Sequence, residues 1–447
     1  IKMKKILLVI FSFTFILQGF SQEKTLQFSL DEAINYALKH SYAIRNAKLD
    51  IDAAKKKKWE TTTIGLPQVD AKVDYQNFLK QVVTLLPAEI IGGTPGEFTE
   101  ITFGTKQNLN ATVTMKQLLF DGSYLIGLQS AKTYLQISKL AKEKTELAIK
   151  EAVINAYGNV LLADESVKIL ENNKILLAKN LKETQAIVKN GLAEEQDAEQ
   201  LQITLSTIKN QLNKTKRLRD ISYKMLNITL GIELDTKITL TNSLENLAIK
   251  STDLKLINQN LNLKSHIDFK IADNTKKSNE LLMKYEMSQA LPSLSAFVNY
   301  SKFANADDFT FFNKDQKWFD SSLFGISLNV PVFSSFKRNS KTQQARIALE
   351  QSEIDLQQTS QKLKLQVASA KSDYQFSLDQ YVTSKENLRL SESIEHKENI
   401  KFFEGVGSSF QLTTAQNQLY QKQQEYLQSI LAIINAKIKL ENALNIK

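Results

Sequence analysis

Cysteine is absent from the 447 residues. That excludes a disulfide framework, a thiolate nucleophile, a cysteine-ligated metal and a cysteine acceptor for an N-terminal lipid. Five prolines and 14 glycines are too little punctuation for an all-β chain and favour long, unbroken helices. Only three histidines occur, His40, His266 and His396, and none stands one helical turn from another as a metal pair would. No nucleophile elbow, phosphate-binding loop or zinc signature appears, so neither an enzyme nor a cofactor is expected. After the first residues no apolar run approaches the roughly twenty residues of a membrane-spanning helix.

The first residues are themselves distinctive. "KMKKILLVIFSFTFILQGFSQ" joins a basic start to an apolar run from Ile6 to Leu17 and to small residues before Gln22. It reads as a secretory signal peptide over residues 1–21, with translation beginning at Met3. The formal charge is +9, but lysines alternate with acids along the chain, the pattern of solvated helix faces and not of a nucleic-acid groove. "KKKK" at residues 55–58 is the one dense cluster; it reads first as a solvated helix end and second as an attractor of anionic lipid head groups.

The chain repeats itself. "LPQVDAKVDY" at residues 66–75 and "LPSLSAFVNY" at 291–300 share the frame L-P-x-x-x-A-x-V-x-Y. "MKQLLFDGSY" parallels "NVPVFSSF" as a strand that launches a helix. Each half then holds a helix, a glycine break, "KNGLAEEQDAEQ" or "FEGVGSSFQLTTAQ", and a second helix. This gives a first repeat over 22–231, a linker over 232–253 and a second repeat over 254–447.

The helical segments have a heptad rhythm. Ile149, Val153, Ala156, Val160, Ala163, Val167, Leu170, Lys174, Leu177, Leu181, Thr184 and Val188 step by alternating four and three, and these are packing positions. Leu140, Leu147, Ile154 and Leu161 form a second stripe, so this helix can contact neighbours on two sides. Uninterrupted from 122 to 190, it would be about 100 Å long. Leu412, Ala415, Leu419, Tyr426, Ile430, Ile433, Leu440 and Leu444 repeat the pattern.

Four strands are expected at about 66–79, 107–119, 292–303 and 318–333, each alternating apolar and polar residues, with aromatics such as Tyr300, Phe303, Trp318 and Phe319 near strand ends. Their lengths fit the roughly 9 to 11 residues of a tilted bilayer-crossing strand. Four strands cannot close a barrel, and an open edge in lipid leaves each unpaired backbone group at a cost of several kcal/mol. Several copies must therefore pool their strands.

With the doubled strands, "FSLDEAINYALKHSYAIRNAKLDIDAAK" at 28–55, "LLFDGS" and the two glycine breaks, nearly the whole chain resembles the TolC-type outer-membrane efflux proteins of Gram-negative bacteria. The resemblance implies a mainly α fold: a homotrimer whose long helical hairpins form an α-barrel through the periplasm. Four β-strands per chain would join a twelve-stranded outer-membrane β-barrel. It implies an exit duct without covalent chemistry, docked on a periplasmic adaptor and an inner-membrane RND pump or ABC transporter. Gly191 and Gly405 match the periplasmic turns, with Leu192, Asp197, Gly407 and Ser408 as adaptor-facing tip residues. Where relatives close the pore with aspartates, this chain has Gln411 and Thr414; where they latch through a tyrosine and an arginine, it has Phe402 and Gly407. Small-molecule efflux is the first expectation and type I protein secretion its alternative. From another class, a secreted coiled-coil adhesin would explain the heptads but not the strands.

Overall fold

The computed structural model describes residues 26–191 and 194–446. The expected signal peptide and Leu192 therefore lie outside the described residues. In chain order the elements are β1 (Leu26–Phe28), α1 (Leu30–His40), α2 (Tyr42–Thr63), β2 (Gln68–Asn77), β3 (Val83–Pro87), β4 (Phe98–Thr102), β5 (Gln107–Asp121), α3 (Gly122–Lys189), α4 (Glu195–Leu230), β6 (Ile238–Leu240), α5 (Leu244–Ser251), α6 (Ile267–Ser288), β7 (Ser293–Ala306), β8 (Phe319–Asn329), α7 (Lys337–Phe403) and α8 (Ser409–Leu444). The helix pairs α3/α4 and α7/α8 measure 68 and 36, then 67 and 36 residues. Among the described residues no helix is long and apolar enough to cross a membrane.

The contacts divide the chain into two units, each built from discontinuous segments. The first comprises Leu140–Lys270 and Thr359–Lys447 with the N-terminal part to Leu49. Its helices bury the sides that the heptads mark. Val153, Val160, Val167, Leu170, Leu177, Leu181 and Thr184 are all buried, and so are Leu140, Ile154 and Leu161 of the second stripe. Lys174, the misfit in the seam, is exposed. On α8, Leu412, Ile430, Ile433, Leu440 and Leu444 are buried, each such side chain contributing about 1.5 to 3 kcal/mol.

In the same unit β1 and β6 pair in parallel, Phe28 opposite Leu240. The turn into α1 is fixed by Ser29, whose hydroxyl accepts the N–H of Glu32 while the Glu32 carboxylate accepts the N–H of Ser29. The reciprocal box satisfies two otherwise orphaned donors. Two fully buried tyrosines, one on each long helix, bind this collar of short elements. The Tyr157 hydroxyl lies 3.0 Å from the Phe28 carbonyl oxygen. The Tyr374 hydroxyl donates to the Ser251 carbonyl at 2.7 Å and accepts the Asp253 N–H at 2.8 Å.

The second unit, Asp50–Lys139 and Ile271–Gln358, carries a four-stranded sheet in the order β2-β5-β7-β8, antiparallel throughout. The register sorts the side chains by chemistry. Val69, Met115, Val298 and Phe324 stand in one cross-strand row, with Ala71, Val113 and Tyr300 in the next. Since alternate residues share a face, that face is largely apolar. The opposite face is mainly polar, with Asp70, Thr114, Asn299 and Leu323 in one row and Lys72, Thr112, Ser301 and Ser321 in another, and with Phe303 opposite Phe319 toward one end. Its polar groups satisfy each other across strands: Thr114 Oγ1 donates to Asn299 Oδ1 at 2.6 Å, and the Thr112 and Ser301 hydroxyls are 3.0 Å apart. The apolar face stays open, with Val69 and Phe324 both about two-thirds exposed.

Two details depart from the sequence reading. Strand β8 stops at Asn329, leaving Val330 and Val332 outside the ladder before the turn into α7; Pro331 between them has no N–H to give it. Between the first two expected strands lies a further β3–β4 hairpin, with Leu85 paired to Glu100.

Candidate functional site

The tips of the two long hairpins, both in the first unit, carry the residues that the sequence marks. At the first, α3 ends at Lys189 and Gly191 takes φ +72° with its N–H on the Val188 carbonyl at 2.9 Å. A Cβ there would meet no atom within 4 Å, and the same is true at Gly405, φ +76°. Glycine is required at both by the left-handed backbone alone, worth about 1 kcal/mol. Asp197 sits with Glu195 in the first turn of α4, where negative charge meets the unpaired N–H groups of a helix start.

The second tip is more tightly built. The Lys401 carbonyl accepts the N–H groups of both Val406 and Gly407, at 3.0 and 2.9 Å, which folds the chain back beneath Phe402. Ser408 then caps α8: its hydroxyl accepts the Gln411 N–H, and Gln411 Oε1 accepts the Ser408 N–H at 3.1 Å. Gln411 is thus committed to a capping box. Thr414, one turn further, is exposed and donates to the Phe410 carbonyl at 2.8 Å. Phe402 is half-buried, edge-on to Phe403 at 5.2 Å.

Gly405, Gly407, Ser408 and Gln411 therefore form one turn, and Gly191 and Asp197 another. Among the described residues no hydrogen bond or ion pair joins the two groups. Sequence reasoning missed Val406 and Phe410, which flank the turn and are 75% and 72% exposed. Their signal was available: two large apolar residues beside a glycine-serine turn have no core to enter.

Behind the tips the interior becomes polar. Asn180 Nδ2 donates to Asn399 Oδ1 at 3.2 Å, Asn173 Nδ2 to Gln423 Oε1 at 3.1 Å, and the Ser384 and Ser429 hydroxyls lie 2.6 Å apart. Thr184 Oγ1, Glu395 Oε1, Thr413 Oγ1 and both amide atoms of Gln416 are buried without a partner. Such groups weaken the packing they interrupt, each by about 1 to 3 kcal/mol. These groups are interleaved with the apolar core between α3 and α4, from Val167 to Leu181 and Leu201 to Leu212.

A family model described as outer membrane efflux protein matches residues 33–231 and 283–445. The chain belongs to the outer membrane efflux protein family. The first matched segment ends on Gly231, which caps α4, and the second begins inside α6 and runs through α8. Solved structures share the fold. CusC superposes with a TM-score of 0.73 at 17% identity, over 96% of this chain and 95% of that one. The VceC outer membrane protein of Vibrio cholerae gives 0.69 at 14%, over 93% and 95%. The Campylobacter jejuni CmeC outer membrane channel gives 0.69 at 14%, over 93% and 85%. No curated protein matches the sequence. Members of this family are outer-membrane transport proteins of the TolC type, and both tips of this one lie inside the matched segments.

Proposed function

We propose that this outer membrane efflux protein is one subunit of a passive exit duct that conducts small molecules across the periplasm and the outer membrane. The sheet carries the proposal: one face apolar and open, the other polar and internally bonded, and both edge strands unpaired among the described residues. An apolar-out, polar-in sheet is the wall of a water-filled membrane barrel. Four alternating strands bring β8 antiparallel to the β2 of a neighbouring copy, so three copies would close a twelve-stranded barrel without reversing any strand. The helical hairpins would continue the wall into the periplasm.

The tips would meet a periplasmic adaptor, with Gly191, Leu192, Asp197, Gly405, Gly407 and Ser408 at the contact. Gln411 and Thr414 would line the aperture and Phe402 would pack the closed gate. Energy would come from an inner-membrane RND pump, or from an ABC transporter if the cargo is a secreted protein. The buried polar groups without partners behind the tips support opening at that end, because each weakens the packing that it interrupts.

Membrane fractionation and planar-bilayer recording of the full chain test the reading. The protein should sediment with outer membranes, require detergent and form steady ion-conducting pores. Recovery as a soluble monomer from buffer washes would refute it and return the adhesin.

A further inference from the structure

The cluster at 55–58 is not absorbed by the duct. In the second unit a groove of about 530 Å³ runs between α2, α3 and α6, lined by Lys57, Lys58, Tyr134, Ile137, Leu282 and Tyr285. Its walls are mostly apolar, yet two lysines stand on its rim. Lys57 pairs with Glu60 at 2.8 Å, and Lys55 beside it with Asp52. Lys56 and Lys58 have no carboxylate within ion-pair distance among the described residues. On the other walls Lys284 pairs with Glu280 and Lys276 with Glu353, so the rim keeps a net positive charge. Trp59, next in sequence, is 59% exposed.

The groove belongs to the same unit as the sheet and lies where its helices join the strands. Helix α2 ends at Thr63 and β2 begins at Gln68; Gly127 and Tyr285, both lining the groove, stand six and eight residues from β5 and β7. Lys58 and Thr63 are five helical steps apart, about 8 Å at 1.5 Å per residue. That distance equals the depth of the head-group layer, about 5 to 8 Å on each side of the hydrocarbon. Exposed tryptophan, tyrosines and lysines at that height form the usual interfacial set.

We propose that this groove holds an anionic phospholipid of the periplasmic leaflet, its phosphate against Lys57 and Lys58 at the level of Tyr134 and one acyl chain rising along Leu282 and Tyr285 toward the sheet. The site rests on the membrane placement of the sheet argued above. A phospholipid satisfies both halves of the groove: the phosphate neutralises the lysine without a carboxylate partner, and the chain covers the apolar walls while continuing upward into the bilayer. A neutral ligand would leave the rim charge unmatched, and a free phosphate would leave the walls uncovered.

The test uses the full chain, purified in mild detergent after equilibration with mixed phosphatidylglycerol and phosphatidylcholine vesicles, with retained lipid counted by native mass spectrometry. The unaltered protein should retain phosphatidylglycerol in preference to phosphatidylcholine. Lys58→Ala should lower that retention about five-fold, and Lys57→Ala with Lys58→Ala about 25-fold. Leu282→Trp, which fills the groove and leaves the charge, should abolish retention, and Lys214→Ala on α4 should change nothing. Equal retention in all variants overturns the site. So does protection of Tyr134→Cys from maleimide in lipid-free protein, which would show that a second copy of the chain covers the groove. Outer-membrane sedimentation and conductance are followed in every variant; if they persist while retention fails to respond, the lipid site is wrong and the duct stands.

Discussion

Joining the sheet edges between copies is the most consequential expectation. Strands β2 and β8 have 10 and 11 residues, and an edge strand turns half of its N–H and C=O groups away from its sheet. Each chain therefore presents about 20 unpaired backbone groups, which in hydrocarbon at roughly 3 kcal/mol each come to on the order of 60 kcal/mol. Net folding stability is only about 5 to 15 kcal/mol, so no isolated copy can hold this sheet in a bilayer. The absence of native cysteine makes the arrangement directly measurable. Lys72→Cys on β2 would be combined in turn with Phe319→Cys, Ser321→Cys and Leu323→Cys on β8, all on the polar face. A disulfide requires Cβ atoms about 3.5 to 4.5 Å apart, so the pairing register selects one combination. Oxidation in native membranes should then yield a reducible ladder that stops at three copies. A ladder ending at two, one continuing past three, or none with any pair would refute the reasoning.

Other consequences are narrower. Tyr374→Phe keeps the ring but strands the Asp253 N–H and the Ser251 carbonyl; a loss of about 2 kcal/mol should speed amide exchange at residues 251–254 about thirty-fold, and an unchanged rate would deny the hydroxyl its role. Burial holds the His266 imidazole below its ordinary pKa, against the opposing pull of Asp268. It therefore stays neutral in the fold, and the stability that this contributes is present above about pH 6.5 and lost as pH falls below it. Exchange around residues 262–270 should accordingly rise between pH 7 and 5, and His266→Gln should remove that dependence. On the proposal that Gln411 and Thr414 line the aperture, pore conductance should change little from about pH 7 to 4, where carboxylates titrate; a steep acid block would place an unrecognised carboxylate there.

Much of this was legible because its causes are local. The seam from Val153 to Thr184 is a repeat of apolar residues in step with the helix, and a helix has no other way to bury it. Alternation in 69–75 and 294–300 fixes strands for the same reason. The β3–β4 hairpin was not legible: residues 80–106 mix glycine, proline and β-formers without alternation, and their pairing comes from the closing of β2 on β5. Nor was the commitment of Gln411 to a capping box, which depends on Ser408 taking an extended backbone, φ −103° and ψ 154°.

The sequence by itself determined the long helices and the four strands of the main sheet, since their periodicity follows from covalent chemistry alone. Only the tertiary structure decided which strands are neighbours. The order β2-β5-β7-β8 brings Thr112 beside Ser301, 189 residues away, and so makes one face of the sheet polar and the other oily. No local rule sets that register; it is set where burial of the helical seams and pairing of the ladder are satisfied together.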